Sequence, residues 1–507
     1  MRLLFLLFFW GFQSLLGQIA TSFTPDKSNP KFEQGSWIGE LSAGGMNLAL
    51  NLLITKHPVS TPELQYQTKL GVPMQGVKNY PASSVTVKKY KITITFDGFG
   101  AEFQGQLKSG KIEGLWTQNK TAFPLTLTYG KAAELKRPQT PKAPFDYVSR
   151  TVTFSNQNGT VRFEGTLTYP KSDSLKNFPT AVLYTGSGLQ DRDESFVGHK
   201  PFAVIAHHLT LNGFAVLRVD DRCAGRSICA PGSDKFTTQD LIQDDGYSYA
   251  KWALDSICGS QQPLFLIGHS EGGALAAGVN LKLKSMGVTQ KIYSVGLAPP
   301  LVSGFEINAY QNRLVFGKIV TDSLVLNDLE YMHRGIISSM LDQGVFENFD
   351  SLKVVEIIET ELNLVSKKSR GIANKNFKKN AGITLKASLI KSYTNPKLAS
   401  AWFKEFLKFN PGELWFELNE GLILQGSKDR QVPAFLNNRA LGKHAESLVN
   451  VDRPTSLTYT EFQGLNHLFQ PCKTGNVEEY AQIETTIDEL VLTELTQWMK
   501  MVERSSK

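Results

Sequence analysis

The chain has 507 residues, 41% of them hydrophobic and 20% charged, and its 42 glycines and 22 prolines are spread along the sequence. This composition excludes a small disulfide scaffold, a disordered chain, collagen and a coiled coil, and at about 150 residues per domain the length predicts roughly three domains. The formal net charge of +7 is modest for this length and gives no support for a nucleic-acid partner.

Residues 1–17 predict a cleavable export signal. Arg2 is the only charged residue before an apolar run at 3–10, and Gly17 supplies a small residue at the cleavage point. A membrane anchor is the alternative, but a spanning helix needs about 20 apolar residues and Gln13 interrupts the run. We therefore expect an exported protein, periplasmic or secreted, with no integral membrane span once the signal is removed.

Residues 18–130 predict an N-terminal all-β domain. Segments such as 92–96, 103–107 and 112–116 alternate apolar and polar residues, and turn residues interrupt the pattern about every 8 to 12 positions. This pattern is typical of a small antiparallel sheet or barrel, and it contains no catalytic constellation. The proline- and lysine-rich residues 131–144 are interpreted as a linker.

From residue 145 onwards the pattern predicts an α/β fold. A hairpin is expected over 148–169, and continuous apolar runs then alternate with helix-length segments, at 181–184, 215–219, 264–267, 292–297, 421–425 and 457–462. Such runs specify a mostly parallel sheet covered by helices on both faces. We expect this domain over 145–300 and 419–507, with an amphipathic helix at 480–501 near its end.

Between 301 and 418 the strand pattern stops and helical segments are predicted, for example at 324–340, 352–364 and 397–409. A helical insertion between two sheet strands is best interpreted as a cap over the carboxyl edge of the sheet. Basic residues occur between 367 and 391 without an intervening Asp or Glu. They indicate either a solvated helix face or a basic region that attracts an anionic substrate or an anionic surface.

The motif Gly268-His-Ser270-Glu-Gly272 follows a predicted strand and precedes a helix-forming run. A serine hydroxyl is a poor nucleophile unless a sharp strand-to-helix turn exposes it beside a base, and such a turn leaves no room for side chains at the flanking glycines. Ser270 is therefore the predicted nucleophile, and Gly268 and Gly272 are the predicted glycines of its elbow.

The same turn predicts an oxyanion hole. The backbone N–H of Glu271 is expected to point at the developing oxyanion, and the positive end of the following helix favours negative charge there. A second donor is expected from the small residues at 185–189, and it is either Ser187 or Gly188. The alternative is that this segment forms only a tight turn.

Asp429 and His467 are the predicted acid and base that act with Ser270. Each follows a predicted strand, which places it at the carboxyl edge of the sheet, where active sites of open α/β sheets lie. The imidazole of His467 is expected to take the proton of Ser270, while Asp429 fixes the tautomer of the imidazole and stabilises the imidazolium.

Two further acidic clusters are interpreted as structural. The alternating charges of residues 191–194 favour a self-paired loop, in which these residues form ion pairs with one another, over roles as general acids or metal ligands. Asp220 and Asp221 could pair with residues of this cluster. The aspartates between 240 and 245 are expected to cap the start of a helix.

The four cysteines are Cys223, Cys229, Cys258 and Cys472. In an oxidising compartment Cys223 and Cys229 could close a short loop, and buried free thiols are the alternative. Because the chain has no Cys-x-x-Cys pair and no histidine cluster, we expect no zinc site.

Several segments together resemble a known family: Gly186-Ser-Gly-Leu-Gln-Asp-Arg-Asp-Glu194, Asp221-Arg-Cys-Ala-Gly-Arg-Ser227, Gly268-His-Ser-Glu-Gly-Gly273, Asp429-Arg-Gln-Val-Pro433 and His467. They are similar to the exported bacterial EstD-like esterases of the α/β-hydrolase superfamily, which are related to serine aminopeptidase-like hydrolases. The resemblance covers about residues 145–507. The segments 37–41, 44–45 and 116–118 also resemble the β domain that often precedes such hydrolases.

The resemblance implies a serine esterase that acts on short acyl esters through Ser270, Asp429 and His467, with no metal or organic cofactor. The chain departs from the family pattern at two positions. Cys223 stands where the family usually has glycine, and Leu189 stands where it usually has proline.

Three functions follow from these observations. The leading one is hydrolysis of a small-molecule carboxylic ester through an acyl-enzyme. A peptidase or amidase with the same triad is the alternative, in which Glu271 or residues 191–194 would receive the amino terminus of the substrate. An alternative of another class is a non-catalytic envelope or glycan-binding protein on a hydrolase scaffold, with residues 18–130 making that contact.

Overall fold

The computed structural model describes residues 34–43, 46–59, 65–72, 77–118, 121–130, 136–172, 174–233, 235–398, 400–448 and 456–505. The predicted signal at 1–17 and the first part of the predicted linker, 131–135, lie outside these residues. Contacts divide the chain into two compact units, which we call the β unit (1–136 with 196–198) and the α/β unit (137–195 with 199–507).

The β unit contains strands β1 Gly35–Ala43, β2 Met46–Lys56, β3 Tyr66–Val72, β4 Val77–Pro81, β5 Ser84–Lys88, β6 Lys91–Phe96, β7 Ala101–Lys108, β8 Lys111–Gln118 and β9 Thr121–Tyr129. They form a sheet in the order β4-β3-β2-β1-β9-β8-β7-β6-β5, and neighbouring strands run antiparallel. Alternate residues such as Ile92, Ile94 and Phe96 are buried in one core, which is the period-two pattern of a half-buried strand.

The α/β unit contains strands β10 Tyr147–Ser155, β11 Val161–Pro170, β12 Thr180–Tyr184, β13 Ala215–Val219, β14 Ile228–Cys229, β15 Leu264–His269, β16 Ile292–Leu297, β17 Glu420–Gly426 and β18 Ser456–Phe462. The sheet order is β10-β11-β13-β12-β15-β16-β17-β18, with β14 beside β11. The strands from β13 to β18 in this order pair in parallel, and the hairpin β10–β11 pairs antiparallel.

Helices cover both faces of this sheet because its central strands are apolar on both sides. In β12, Ala181 and Leu183 enter one core, while Val182 and Tyr184 enter the core on the opposite face. Burial of a large aliphatic side chain contributes about 1.5–3 kcal/mol, so strands of this kind stabilise the fold only when both faces are covered. The predicted fold class, a mostly parallel sheet covered by helices, with a helical insertion and an N-terminal all-β region, is confirmed.

The helices are α1 Pro201–Leu211, α2 Thr238–Asp240, α3 Tyr247–Ser256, α4 Gly272–Ser285, α5 Gly304–Gly317, α6 Ser323–Asp342, α7 Ser351–Leu364, α8 Lys367–Ala381, α9 Leu385–Tyr393, α10 Ala401–Lys408, α11 Pro411–Glu417, α12 Ala434–Leu448 and α13 Glu489–Ser505. A π-helical turn, Leu241–Gly246, joins α2 to α3. Helices α5 to α11 lie between β16 and β17, in the segment that the sequence assigns to a cap. The lysines of α8 are exposed to solvent.

The last helix begins at Glu489, later than the expected start at 480. Side chains from the start of the α/β unit bind the preceding backbone instead of helical partners. Arg137 donates to the carbonyls of Ala481 and Ile483 at 2.9 and 3.1 Å, and Gln139 donates to the carbonyl of Ile487 at 2.7 Å. These bonds satisfy the backbone without a helix, and sequence periodicity contains no signal for them.

Candidate active site

Ser270 lies between the end of β15 and the start of α4 with a φ of +54°, a left-handed conformation that non-glycine residues rarely adopt. Its N–H donates to the Leu297 carbonyl at 2.9 Å. An added Cβ at Gly268 would lie 1.8 Å from the carbonyl oxygen of Gly272, and one at Gly272 would lie 2.2 Å from the carbonyl oxygen of Tyr184. The structure therefore has the tight strand–turn–helix that the sequence predicts, and we call residues 268–272 the elbow.

His467 and Asp429 form a buried pair. Asp429 follows β17 and His467 follows β18, and the imidazole Nδ1 lies 2.7 Å from Asp429 Oδ2. Each residue is only 3% exposed. The structure thus brings together two residues that are 38 positions apart in the sequence.

Neutral donors fix the Asp429 carboxylate. The backbone N–H groups of Gln431 and Val432 both donate to Oδ1 at 2.8 Å, and Gln425 Nε2 donates to Oδ2 at 3.0 Å. Because all three groups donate, they fix the orientation of the carboxylate, and Asp429 is held as an acceptor for an N–H at His467 Nδ1. Nε2 of His467 is then the atom that accepts a proton.

His269 connects the elbow to the loop that carries His467. Its Nε2 lies 3.0 Å from the His467 carbonyl oxygen, its Nδ1 lies 2.8 Å from Glu194 Oε1, and the centroids of the two imidazole rings are 4.7 Å apart. Glu194 Oε1 also accepts the Gly186 N–H at 2.8 Å. Both nitrogens of His269 therefore face oxygen acceptors, and only the imidazolium form donates to both.

The protonation of His269 follows from this arrangement. Burial by itself would lower the pKa of His269, but the Glu194 carboxylate and the carbonyl of His467 outweigh burial and raise the pKa above its usual value. Sequence reasoning missed this pair because it gave His269 no role beyond its place in the elbow motif and interpreted Glu194 as part of a self-paired loop.

The segment after β12 packs directly against the elbow. An added Cβ at Gly186 would lie 3.2 Å from the Cβ of Ser270. Because the Gly186 N–H already donates to Glu194, it is not free to bind an oxyanion. Within the described residues, the N–H groups of Ser187, Gly188 and Glu271 donate to no protein acceptor.

The acidic cluster at 191–194 does not pair with itself, contrary to the expectation of a self-paired loop. Arg192 binds Asp220 at 2.6 Å and Glu164 at 2.9 Å, while Asp193 pairs with Lys200 at 2.9 Å and also with Arg218. The cluster therefore ties its loop to neighbouring strands. Alternating charges in sequence favoured local pairing, but the strands beside the loop supply closer partners.

The aspartates at 240–245 also have different roles. Asp240 forms the expected capping box with Thr237. Asp245 does not cap a helix, because it is buried and pairs with Arg222 at 2.5 Å. Burial raises the pKa of Asp245 to about 6 despite the opposing effect of Arg222.

Cys223 has a φ of +59°, the left-handed conformation that glycine adopts most readily, and it stands where the family that the sequence resembles usually has glycine. The structure joins Cys223 to Cys229 by a disulfide with a Cα–Cα distance of 5.2 Å, while Cys258 and Cys472 are free. The loop thus keeps a glycine-type backbone, and the disulfide closes it.

A pocket lies beside the elbow, lined by residues of the end of β12 and the segment after it, the loop after β13, the π-helical turn, α3 and α4. Gly186, Gly188 and Glu271 are among its lining residues. The described residues contain no group of three or more His, Cys, Asp or Glu side chains arranged to hold a metal ion. No helix in the described part of the chain is long and apolar enough to cross a membrane.

Comparisons with known proteins match the chain over part of its length. No family model matches the chain. Esterase EstD from Thermotoga maritima is 28% identical over 215 residues, which make up 42% of this chain and 44% of EstD, so the match spans less than half of that relative.

Two solved structures match the chain at low identity and low TM-score. An esterase from the archaeon Pyrobaculum calidifontis has 15% identity and a TM-score of 0.37, and the match covers 70% of this chain and 83% of that one. A thermophilic carboxylesterase cloned from a metagenomic library has 16% identity and a TM-score of 0.37, and the match covers 72% of this chain and 91% of that one. The chain is therefore similar to esterase EstD over less than half of its length, and its sheet order and the elbow at Ser270 are the features on which that similarity bears.

Proposed function

We propose that the protein is a serine hydrolase that cleaves carboxylic esters with short acyl groups through an acyl-enzyme. The observation that carries this proposal is the buried hydrogen bond of 2.7 Å between Asp429 and His467, held against the elbow that exposes Ser270. The name of the EstD relative and the resemblance of the sequence motifs support an ester as the substrate.

In this mechanism His467 Nε2 takes the proton from Ser270 Oγ as Oγ attacks the ester carbonyl carbon. The N–H of Glu271 and the N–H of Ser187 or Gly188 stabilise the oxyanion, and none of these groups has a competing protein acceptor among the described residues. The imidazolium of His467, stabilised by Asp429, then protonates the leaving alcohol. Water attacks the acyl-enzyme with His467 as base and releases the acid and free Ser270.

Turnover of p-nitrophenyl acetate by matched serine variants tests this proposal. We expect Ser270→Ala to lose activity by several orders of magnitude, whereas Ser285→Ala, a change at an exposed serine at the end of α4, keeps the wild-type rate. A panel of p-nitrophenyl esters with longer acyl chains should show falling kcat/KM. Equal rates for the wild type and Ser270→Ala would overturn the proposal.

A further inference from the structure

The side chain of Glu271 is a buried carboxylate without a cationic partner. Glu271 is 8% exposed, and its Oε1 accepts a hydrogen bond from Trp402 Nε1 at 3.0 Å and another from the Thr238 hydroxyl. Both donors are neutral. In the described part of the chain, no Lys, Arg or His forms an ion pair with Glu271, and its Oε2 accepts no hydrogen bond.

Other charges near the pocket do not neutralise Glu271. Arg222 lines the same pocket, but its guanidinium is engaged by Asp245 at 2.5 and 2.6 Å and by the Ser233 carbonyl at 3.3 Å. Glu405, on α10, uses its carboxylate to accept the N–H groups at the start of α2. Burial, with the Glu271 charge adding to it, raises the pKa of Glu405. Among the described residues, the pocket therefore has no cation that pairs with the Glu271 carboxylate.

An uncompensated buried carboxylate is costly, and a cation that enters the site removes that cost. Phe236, Leu241 and Leu275 supply apolar pocket walls, and in such surroundings a single ion pair is stronger than it would be in water. The pocket thus favours a ligand with a positive charge on a short apolar frame.

The position of Glu271 locates that charge relative to the scissile bond. Glu271 directly follows Ser270, and consecutive Cα atoms are about 3.8 Å apart. An ester carbonyl that is attacked by Ser270 and bound at the Glu271 N–H would therefore lie beside the residue whose side chain lines this pocket. Gly186 and Gly188 line the pocket from the other side of the proposed oxyanion hole.

We propose that the pocket beside Ser270 binds a protonated amine on the carbon next to the scissile carbonyl, with Glu271 as its counter-ion, so that the preferred substrates are α-aminoacyl esters. This inference rests on the proposed esterase function and narrows its substrate class. Trp402 and Thr238 hold Oε1 in place, which leaves Oε2 to meet the ammonium group.

The test compares two esters of nearly equal shape, L-alanine benzyl ester and benzyl isobutyrate, which differ by an ammonium in place of a methyl group. The value of kcat/KM for each is measured at pH 6.5, where most of the amine is protonated, and is divided by the rate constant for hydroxide-catalysed hydrolysis of that ester. We expect the wild type to prefer the alanine ester at least tenfold. Glu271→Gln keeps an oxygen acceptor for Trp402 and Thr238, and it should lower this preference at least tenfold.

Glu356→Gln, which removes an exposed carboxylate on α7, is the matched control and should keep the wild-type preference. A second measurement needs no variant: L-alaninamide should inhibit benzyl isobutyrate hydrolysis by the wild type at least tenfold more strongly than isobutyramide does. Equal inhibition by the two amides, or an equal preference in the wild type and Glu271→Gln, would overturn the inference. Benzyl isobutyrate turnover that depends on Ser270 would still leave the esterase proposal standing, whereas turnover that survives Ser270→Ala would overturn the esterase proposal itself.

Discussion

Replacement of Glu194 by alanine should destabilise the α/β unit more than any loss of a surface charge. Glu194 is 4% exposed, and its Oε1 accepts hydrogen bonds from the His269 ring and the Gly186 N–H, both at 2.8 Å. A hydrogen bond to a charged group is worth about 1.5–3 kcal/mol, and removal of one partner of a buried ion pair costs about 3–5 kcal/mol. We therefore expect the opening free energy of the unit to fall by about 3–5 kcal/mol.

Hydrogen exchange of the peptide that contains Leu264–His269 measures this opening in the α/β unit alone. Asp255→Ala is the matched control, because Asp255 and Lys251 form an exposed pair one helical turn apart, and its loss should cost no more than about 0.5 kcal/mol. If Glu194→Ala lowers the opening free energy by less than about 1 kcal/mol, the interpretation of Glu194 and His269 as a buried ion pair is refuted.

The pH dependence of the same measurement has a definite sign. The pKa of His269 is raised in the folded protein. The pair of His269 and Glu194 therefore stabilises the fold fully below the unfolded histidine pKa of about 6.5. This stabilisation is lost as the pH rises through the folded pKa of His269. Glu194→Gln removes the counter-charge, and it should remove this alkaline loss of stability. An identical pH profile in the wild type and Glu194→Gln would contradict the assignment of His269 as an imidazolium.

Three further results are expected. Asp429→Asn should lower the kcat for p-nitrophenyl acetate by about 10⁴, because the amide no longer fixes the tautomer of His467. The hydrogen-exchange pattern should stay unchanged. A loss of kcat below tenfold would argue against the pairing of Asp429 with His467. Gly268→Ala should prevent folding of the elbow, since the added Cβ would lie 1.8 Å from a backbone oxygen. Gly371 lies in open space on α8, so Gly371→Ala should raise the free energy of unfolding by up to about 1 kcal/mol in thermal melts. Iodoacetamide should label only Cys258 and Cys472 in denatured, unreduced protein, and labelling of all four cysteines would contradict the disulfide.

The sequence predicted the features that depend on local pattern. Apolar runs such as 264–267 and 181–184 became central strands, because residues that alternate between two cores must be apolar throughout. The glycines of the elbow were predictable for a similar reason, since the backbone leaves no space for a Cβ at either of them.

Other contacts were beyond sequence reasoning because they join distant positions through packing. Glu194 meets His269 across 75 positions, and Trp402 meets Glu271 across 131 positions. Nothing in the local pattern distinguishes these residues from a surface charge or a helix-face aromatic. The late start of α13 has the same origin, because Gln139 binds the backbone just before it.

Labelling with a fluorophosphonate reagent, followed by peptide mass mapping, shows directly whether Ser270 is the nucleophile. The reagent reacts with a serine hydroxyl that a neighbouring base activates, and we expect one adduct, on Ser270, which is lost when His467 is replaced by alanine. An adduct on another residue, or equal labelling of the wild type and Ser270→Ala, would contradict this expectation.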